Sequence, residues 1–224
     1  MIPDSIEGNP VVRITSYAFR DCTSLTSITI PDYVTTIGDF AFRGCTSLTT
    51  IEIGAENGNY TDVDGVLFNK EKTDLLDYPA GKGGNYAIPD SVTSIGEGAF
   101  GICTSLTNVT IGNGVTSIRL ATFAGCDRLS NITIGNGVTS IGRAAFFECT
   151  SLTSITLPDS VNSIGIGTFF QCSSLTASTF LGDAPKIEND AFGGSSPIIY
   201  READAKGWGD TLAGRPVKII TEKP

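Results

Sequence analysis

Val138-Thr139-Ser140-Ile141-Gly142-Arg143-Ala144-Ala145-Phe146-Phe147-Glu148-Cys149-Thr150-Ser151-Leu152-Thr153-Ser154-Ile155-Thr156-Leu157-Pro158 is one copy of a phrase that this chain writes six times. Laid over Val34-Thr35-Thr36-Ile37-Gly38, its apolar positions fall on Ala41, Phe42, Cys45, Leu48, Ile51 and Ile53 without a gap. A fixed period of 23 residues marks a solenoid. Each unit is too small to bury its own apolar face and stacks on its neighbours instead.

Full repeats start near Val11, Val34, Val92, Val115, Val138 and Val161, and a degenerate seventh starts near Ala184. The seventh keeps Ile187, Ala191 and Phe192 but has Ser195 in place of the cysteine. Cys45 and Cys103 stand 58 residues apart where one period is 23, which leaves an insertion of 35 residues around 55–87. The whole of 1–224 reads as a single elongated domain, with residues 196–224 as a cap that shields the last open sheet edge.

Within a repeat, Ile28 and Ile30 alternate with Ser27 and Thr29, the period-two pattern of a strand with one buried and one solvated face. Pro31, Gly54, Gly112, Gly135 and Pro158 stop it. Val-Thr-Ser-Ile-Gly predicts a second, shorter strand, and Ala-Phe-x-x-Cys predicts one turn of 3₁₀ or α-helix. Stacking places equivalent strands in parallel about 4.8 Å apart. It also makes a spine of Phe19, Phe42, Phe100, Phe123, Phe146 and Phe169 in the core. Ser178 stands where an apolar residue belongs, which predicts a weaker sixth strand.

In the insertion, Asp62–Phe68 and Leu75–Tyr78 flank the polar run 69–74, a hairpin pattern that predicts a β-hairpin projecting from the solenoid. At the start, Ile2-Pro3-Asp4-Ser5 matches Ile88-Pro89-Asp90-Ser91, so the chain is expected to begin inside a longer protein.

These motifs resemble the BspA-like leucine-rich repeat family, whose unit runs close to Val-Thr-Ser-Ile-Gly-x-x-Ala-Phe-x-x-Cys-x-Ser-Leu-Thr-x-Ile-x-Ile-Pro. The resemblance covers Ile2 to Gly194. It implies a right-handed, horseshoe-like, β-dominated solenoid, placement outside the cell or on its surface, and adhesion to host matrix proteins or neighbouring cells. It brings no catalytic motif and no cofactor.

The residues themselves narrow the chemistry further. No histidine occurs, which excludes Ser-His-Asp and Cys-His catalysis, so no enzyme is expected. The acids lie scattered in turns, as at Asp32, Asp90 and Asp159, and form no carboxylate pair. Cys22, Cys45, Cys103, Cys126, Cys149 and Cys172 share one core-facing column. Parallel side chains there favour free thiols acting as small hydrophobes over disulfides or a metal site. Asp62-x-Asp64-Gly65 opens like a calcium loop but lacks the later bidentate glutamate, so an ordinary hairpin turn is the better reading. Gly112-Asn113-Gly114 and Gly135-Asn136-Gly137 are read as tight turns that need positive φ. The Asn-x-Thr sequons at Asn59, Asn108 and Asn131 are read as incidental.

With 17% charged residues and a net charge of −9, the chain suits no nucleic-acid partner, and no apolar run is long enough to enter a membrane as a helix. A monomer is expected, whose partner is a host or bacterial surface protein or, alternatively, a glycan. Two candidate surfaces result. One is the outward sheet face, Ser27, Thr29, Thr50, Glu52, Asn108, Thr110, Asn131 and Thr133. The other is the hairpin, with Tyr60, Phe68, Lys70, Lys72 and Tyr78.

Overall fold

The computed structural model describes residues 2–220, so Met1 and the last four residues of the expected cap lie outside it. The described residues form 22 short strands and no helix. The chain winds as a β-solenoid of about eight turns, with its main strands on one side and short strands on the other.

The 23-residue period becomes a spatial translation. Ser27 pairs with Thr50, Asn108 with Asn131 and Ser154 with Ala177, all in parallel ladders. The main side is built from three stretches of sheet. The first is Ser27–Ile30 with Thr50–Ile53, and the second is Gly84–Ala87, Leu106–Thr110 and Asn131–Thr133. The third joins Ser154–Leu157, Ala177–Phe180, Ile198–Arg201 and Arg215–Ile219. Alternation decides burial on each strand: Ile28, Ile51, Val109, Ile132 and Ile155 face inward and are at most 7% exposed. The strand carrying Ser178 forms at full length, yet the Ser178 hydroxyl is buried without a partner.

The segment expected as a helical turn is a third kind of structure. Cys22 N donates to Phe19 O and Leu25 N to Cys22 O, so 3₁₀-type bonds occur singly. They do not propagate into a helix because the amides between them are used elsewhere: Tyr17, Phe19 and Asp21 donate to Asp39, Ala41 and Arg43 of the next coil. Aiming alternate amides along the solenoid axis requires left-handed residues four apart. Tyr17 and Asp21 have φ of 61° and 58°, and Ala144 and Glu148 have 52° and 57°. Each such non-glycine residue costs about 1–2 kcal/mol, offset by an inter-coil hydrogen bond and by the stacking of the phenylalanine between them.

That stacking is regular. Successive rings from Phe100 to Phe192 have centroids 4.9–5.4 Å apart, and Phe19 stacks on Phe42 at 5.5 Å. The Gly-Asn-Gly turns correct an expectation, because none of their glycines has positive φ. Close approach of successive coils is the reason for glycine here. A Cβ on Gly137 would lie 1.9 Å from Asn113 O, and one on Gly135 would lie 2.6 Å from the Gly112 carbonyl.

The insertion differs most from its expected form. Tyr60–Val63 and Val66–Asn69 make an antiparallel hairpin closed by Asp64-Gly65, with φ of 51° and 76°, as the two-residue turn of an Asp-Gly hairpin requires. Val66–Asn69 also pairs with Asp74–Asp77, and that strand rejoins the stack through Ser94–Ile95. The hairpin does not project. It lies across the solenoid as a plate, with Val66, Leu67 and Phe68 wholly buried. Leu67 packs into the N-terminal core cluster, whereas Val66 and Phe68 pack into the C-terminal one. A strand with both faces covered needs apolar residues on both, and Val66-Leu67-Phe68 supplies them.

Candidate interaction surface

The outward columns stand in register on the solvated side. Ser27, Glu52, Asn131, Thr110 and Thr133 are exposed, and Thr29, Thr50 and Asn108 are half-buried. Side chains link successive coils along this ribbon. Thr29 Oγ1 donates to Glu52 Oε2 at 3.2 Å, and Asn108 Nδ2 donates to Asn85 Oδ1. Asn85 itself comes from the insertion, 23 residues before Asn108, and pairs with it directly. The ribbon is therefore continuous through the coil that follows the plate.

The hairpin residues separate. Phe68 and Tyr78 are buried, so neither can anchor a partner, and Tyr78 stacks on Phe100 at 5.0 Å as part of the spine. Tyr60 turns inward too: its hydroxyl donates to Thr35 O at 3.2 Å and accepts from Ile37 N at 3.1 Å. Lys70 and Lys72 are exposed, with Lys70 Nζ held by Asn57 O. Aromatic residues in an insertion look like surface anchors in a linear reading, but here they replace the core contacts of a missing arc.

What the plate does is satisfy the main-strand edge of the preceding coil. Ile51 N donates to Gly65 O at 2.9 Å and Ile53 N to Asp62 Oδ1 at 3.2 Å, where the next main strand would otherwise accept. Asn57 is fully buried and uses all its amide capacity. Its Nδ2 donates to Pro31 O and Val34 O, and its Oδ1 accepts from Asn59 N and Tyr60 N. With Asp62 committed to Ile53, the Asp62-x-Asp64-Gly65 stretch works as a turn and an edge cap.

Beside the plate, a cavity of about 50 Å³ is lined by Asp39, Asp77 and Glu97 among others. Burial raises the Asp77 carboxyl well above its ordinary range. Among the described residues no cation lies within ion-pair distance of it, since Glu97 pairs with Arg119 at 2.9 Å and the other ion pair is Arg20–Asp21.

The cysteine column is free of disulfides, and every member but Cys22 is buried. Each buried thiol lies near the spine carbonyl of the coil before it: Cys45 Sγ donates to Phe19 O at 3.0 Å and Cys126 Sγ to Phe100 O at 3.0 Å. Burial pushes the Cys45 thiol up to about 11 and Cys172 up to about 12, so these groups are inert thiols at neutral pH.

A surface feature absent from the expected set lies on the arcs of the first two coils. Tyr17, 51% exposed, stacks on Phe40 at 5.5 Å. Arg20 lies 5.6 Å over the Tyr17 ring and Arg43 5.6 Å over the Phe40 ring. The signal was present in the repeat alignment. This column reads Tyr17, Phe40, Gly98, Ala121, Ala144, Gly167, so two aromatics occupy a position that is small elsewhere.

Comparison with known proteins locates the architecture. A family model described as BspA type leucine rich repeat region matches in six copies, over residues 5–79 and 82–199. A leucine rich cell surface protein from Faecalibacterium prausnitzii superposes with a TM-score of 0.80 at 31% identity, covering 90% of this chain and 53% of its own. The pneumococcal vaccine antigen PcpA superposes with a TM-score of 0.75 at 26% identity, covering 88% of this chain and 49% of its own. A leucine-rich repeat protein from Eubacterium ventriosum gives 0.58 at 25% identity, covering 77% and 59%. The chain thus spans about half the length of the first two. No curated protein sequence matches it.

Proposed function

The chain belongs to the BspA-type leucine-rich repeat family, and from that premise we propose that it is a non-catalytic protein-interaction module of a bacterial surface or secreted protein, adhering to host matrix or to neighbouring cells. The observation that carries this reading is the Tyr17–Phe40 stack flanked by Arg20 and Arg43. Tyrosine and arginine are the residue types on which protein interfaces concentrate their binding energy. They stand at one end of an arc column that is otherwise small, Gly98, Ala121, Ala144 and Gly167. The ribbon from Ser27 to Thr179 supplies a polar flank that hydrogen-bonds without a strong charge preference. Surface placement draws its support from the Faecalibacterium relative, described as a cell surface protein, and from PcpA, described as a vaccine antigen.

The test is biosensor binding of the chain to a panel of matrix proteins, to whole bacterial cells and to a glycan array, beside a Tyr17→Ala, Arg20→Ala double variant. Saturable binding to a protein or to cells, weakened at least about tenfold by the double variant, is expected. Binding to glycans alone would replace this reading with a carbohydrate-binding module. Silence on every surface would leave the chain a spacer.

A further inference from the structure

The first arc, and each from Gly98 to Gln171, passes its axial amides to the arc that follows, whereas the Phe40, Phe42 and Gly44 amides beside the plate donate to no acceptor among the described residues. At the last complete junction Gly167, Phe169 and Gln171 donate to Asn189, Ala191 and Gly193 at 3.2, 2.7 and 2.7 Å. The final arc has no successor. Its equivalent amides, on Asp190, Phe192 and Gly194, donate to no acceptor among the described residues. A cavity of about 290 Å³ opens on this edge, lined by residues 187–193 and by Ala213 and Arg215 of the cap.

Arg215 completes the site. Its Nη2 donates to Phe192 O at 2.9 Å, the carbonyl that a following coil's thiol would occupy. Among the described residues, its Nε is buried without a partner and no carboxylate pairs with the guanidinium. Asp190 and Gly194, with φ of 55° and 70°, repeat the left-handed pair of the other arcs, which aims the amides of this arc along the solenoid axis. Open amides at Asp190 and Phe192 and a guanidinium with no ion-pair partner among the described residues therefore stand at one cavity of a chain whose net charge is −9.

We propose that this C-terminal edge binds a carboxylate group of a ligand. At the complete junctions the equivalent amides each receive a carbonyl oxygen, so each free amide is aimed at an oxygen acceptor. Glu188 and Asp190 also line the cavity. Their repulsion scales with ligand charge, so it weighs about twice as heavily on a dianion as on a monoanion. A carboxylate is favoured over a phosphate for that reason.

The experiment is amide NMR of the ¹⁵N-labelled chain titrated with acetate, and separately with inorganic phosphate, at ionic strength held constant with chloride. Saturable shifts of the Asp190, Phe192 and Gly194 amides with acetate are expected, abolished by Arg215→Gln. Because Arg215 also supports the cap, Asp190→Asn serves as the second variant: asparagine tolerates the left-handed conformation, and removing the rim charge is expected to tighten acetate binding at least about twofold. Shifts that grow linearly with acetate, or an Asp190→Asn variant that binds no better, would overturn the site. Tighter binding of phosphate than of acetate would overturn the carboxylate assignment.

Discussion

The coils from Val92 to Phe192 and the plate at Asn57–Asp77 occupy the same stack, yet they are held by different means. In the coils, backbone meets backbone in a repeating register, and the side chains only have to be apolar inside and small where coils touch. In the plate, Asn57, Tyr60 and Asp62 use side-chain atoms to meet the backbone groups that a regular coil would have met with its own. The difference teaches that a parallel ladder can be interrupted at its main strand when the displaced donors and acceptors there find specific substitutes.

The comparison is tested most severely in the two cores. Phe123→Ala in the spine and Phe68→Ala in the plate should each cost about 3–5 kcal/mol by opening a cavity, measured by denaturant unfolding. A small cost for Phe68→Ala alone would mean that the plate is not core. Next comes Asn57→Ala, which strips partners from four backbone groups at a fully buried site and should cost about 2–3 kcal/mol. If it behaved like a surface change, the substitution of side-chain for backbone bonding would not be what holds the plate.

Asp77 sharpens the contrast through pH. Its carboxyl is raised above the unfolded value of about 4. Its contribution to stability is therefore full below that value and lost as pH rises through the folded one. Asp77→Asn should match the parent chain in acid and melt at a higher temperature at pH 7. Equal melting at both values would show that the carboxylate is comfortably solvated. The smallest effect belongs to the outward ribbon, where Thr133→Ala should stay within about 0.5 kcal/mol of the parent.

How much of this could be read in the sequence follows from the same contrast. Translation in sequence maps onto translation in space, so the strands, the phenylalanine spine, the inert cysteines and the outward columns from Ser27 to Thr133 were legible from six aligned copies. The arc was not, because its left-handed residues carry ordinary side chains such as Tyr17, Ala144 and Glu148. Only the demand for axial amides reveals them. The plate was misread in place, although Asp64-Gly65 does mark a turn. A hairpin pattern gives strand pairing but does not say whether Val66-Leu67-Phe68 has neighbours on both sides. Three consecutive apolar residues, where alternation was expected, were the clue. The Tyr17–Phe40 pair does not stand out by aromatic density, only by the change of character in a column that is small in the later repeats.

One property of the plate bears on how such a protein grows. Almost every bond it makes to the preceding coil ends on main-chain atoms: the carbonyls of Pro31, Val34, Thr35 and Leu48 and the amides of Ile37, Ile51 and Ile53. The one side chain it uses, Asp32 accepting from Glu56 N, repeats an interaction that Asn113 makes with Asn136 and Asp183 with Lys206. Any copy of the 23-residue phrase offers the same groups. Coils on either side can therefore be duplicated or deleted by recombination between near-identical segments, changing the length of the array while the plate remains compatible with its new neighbour.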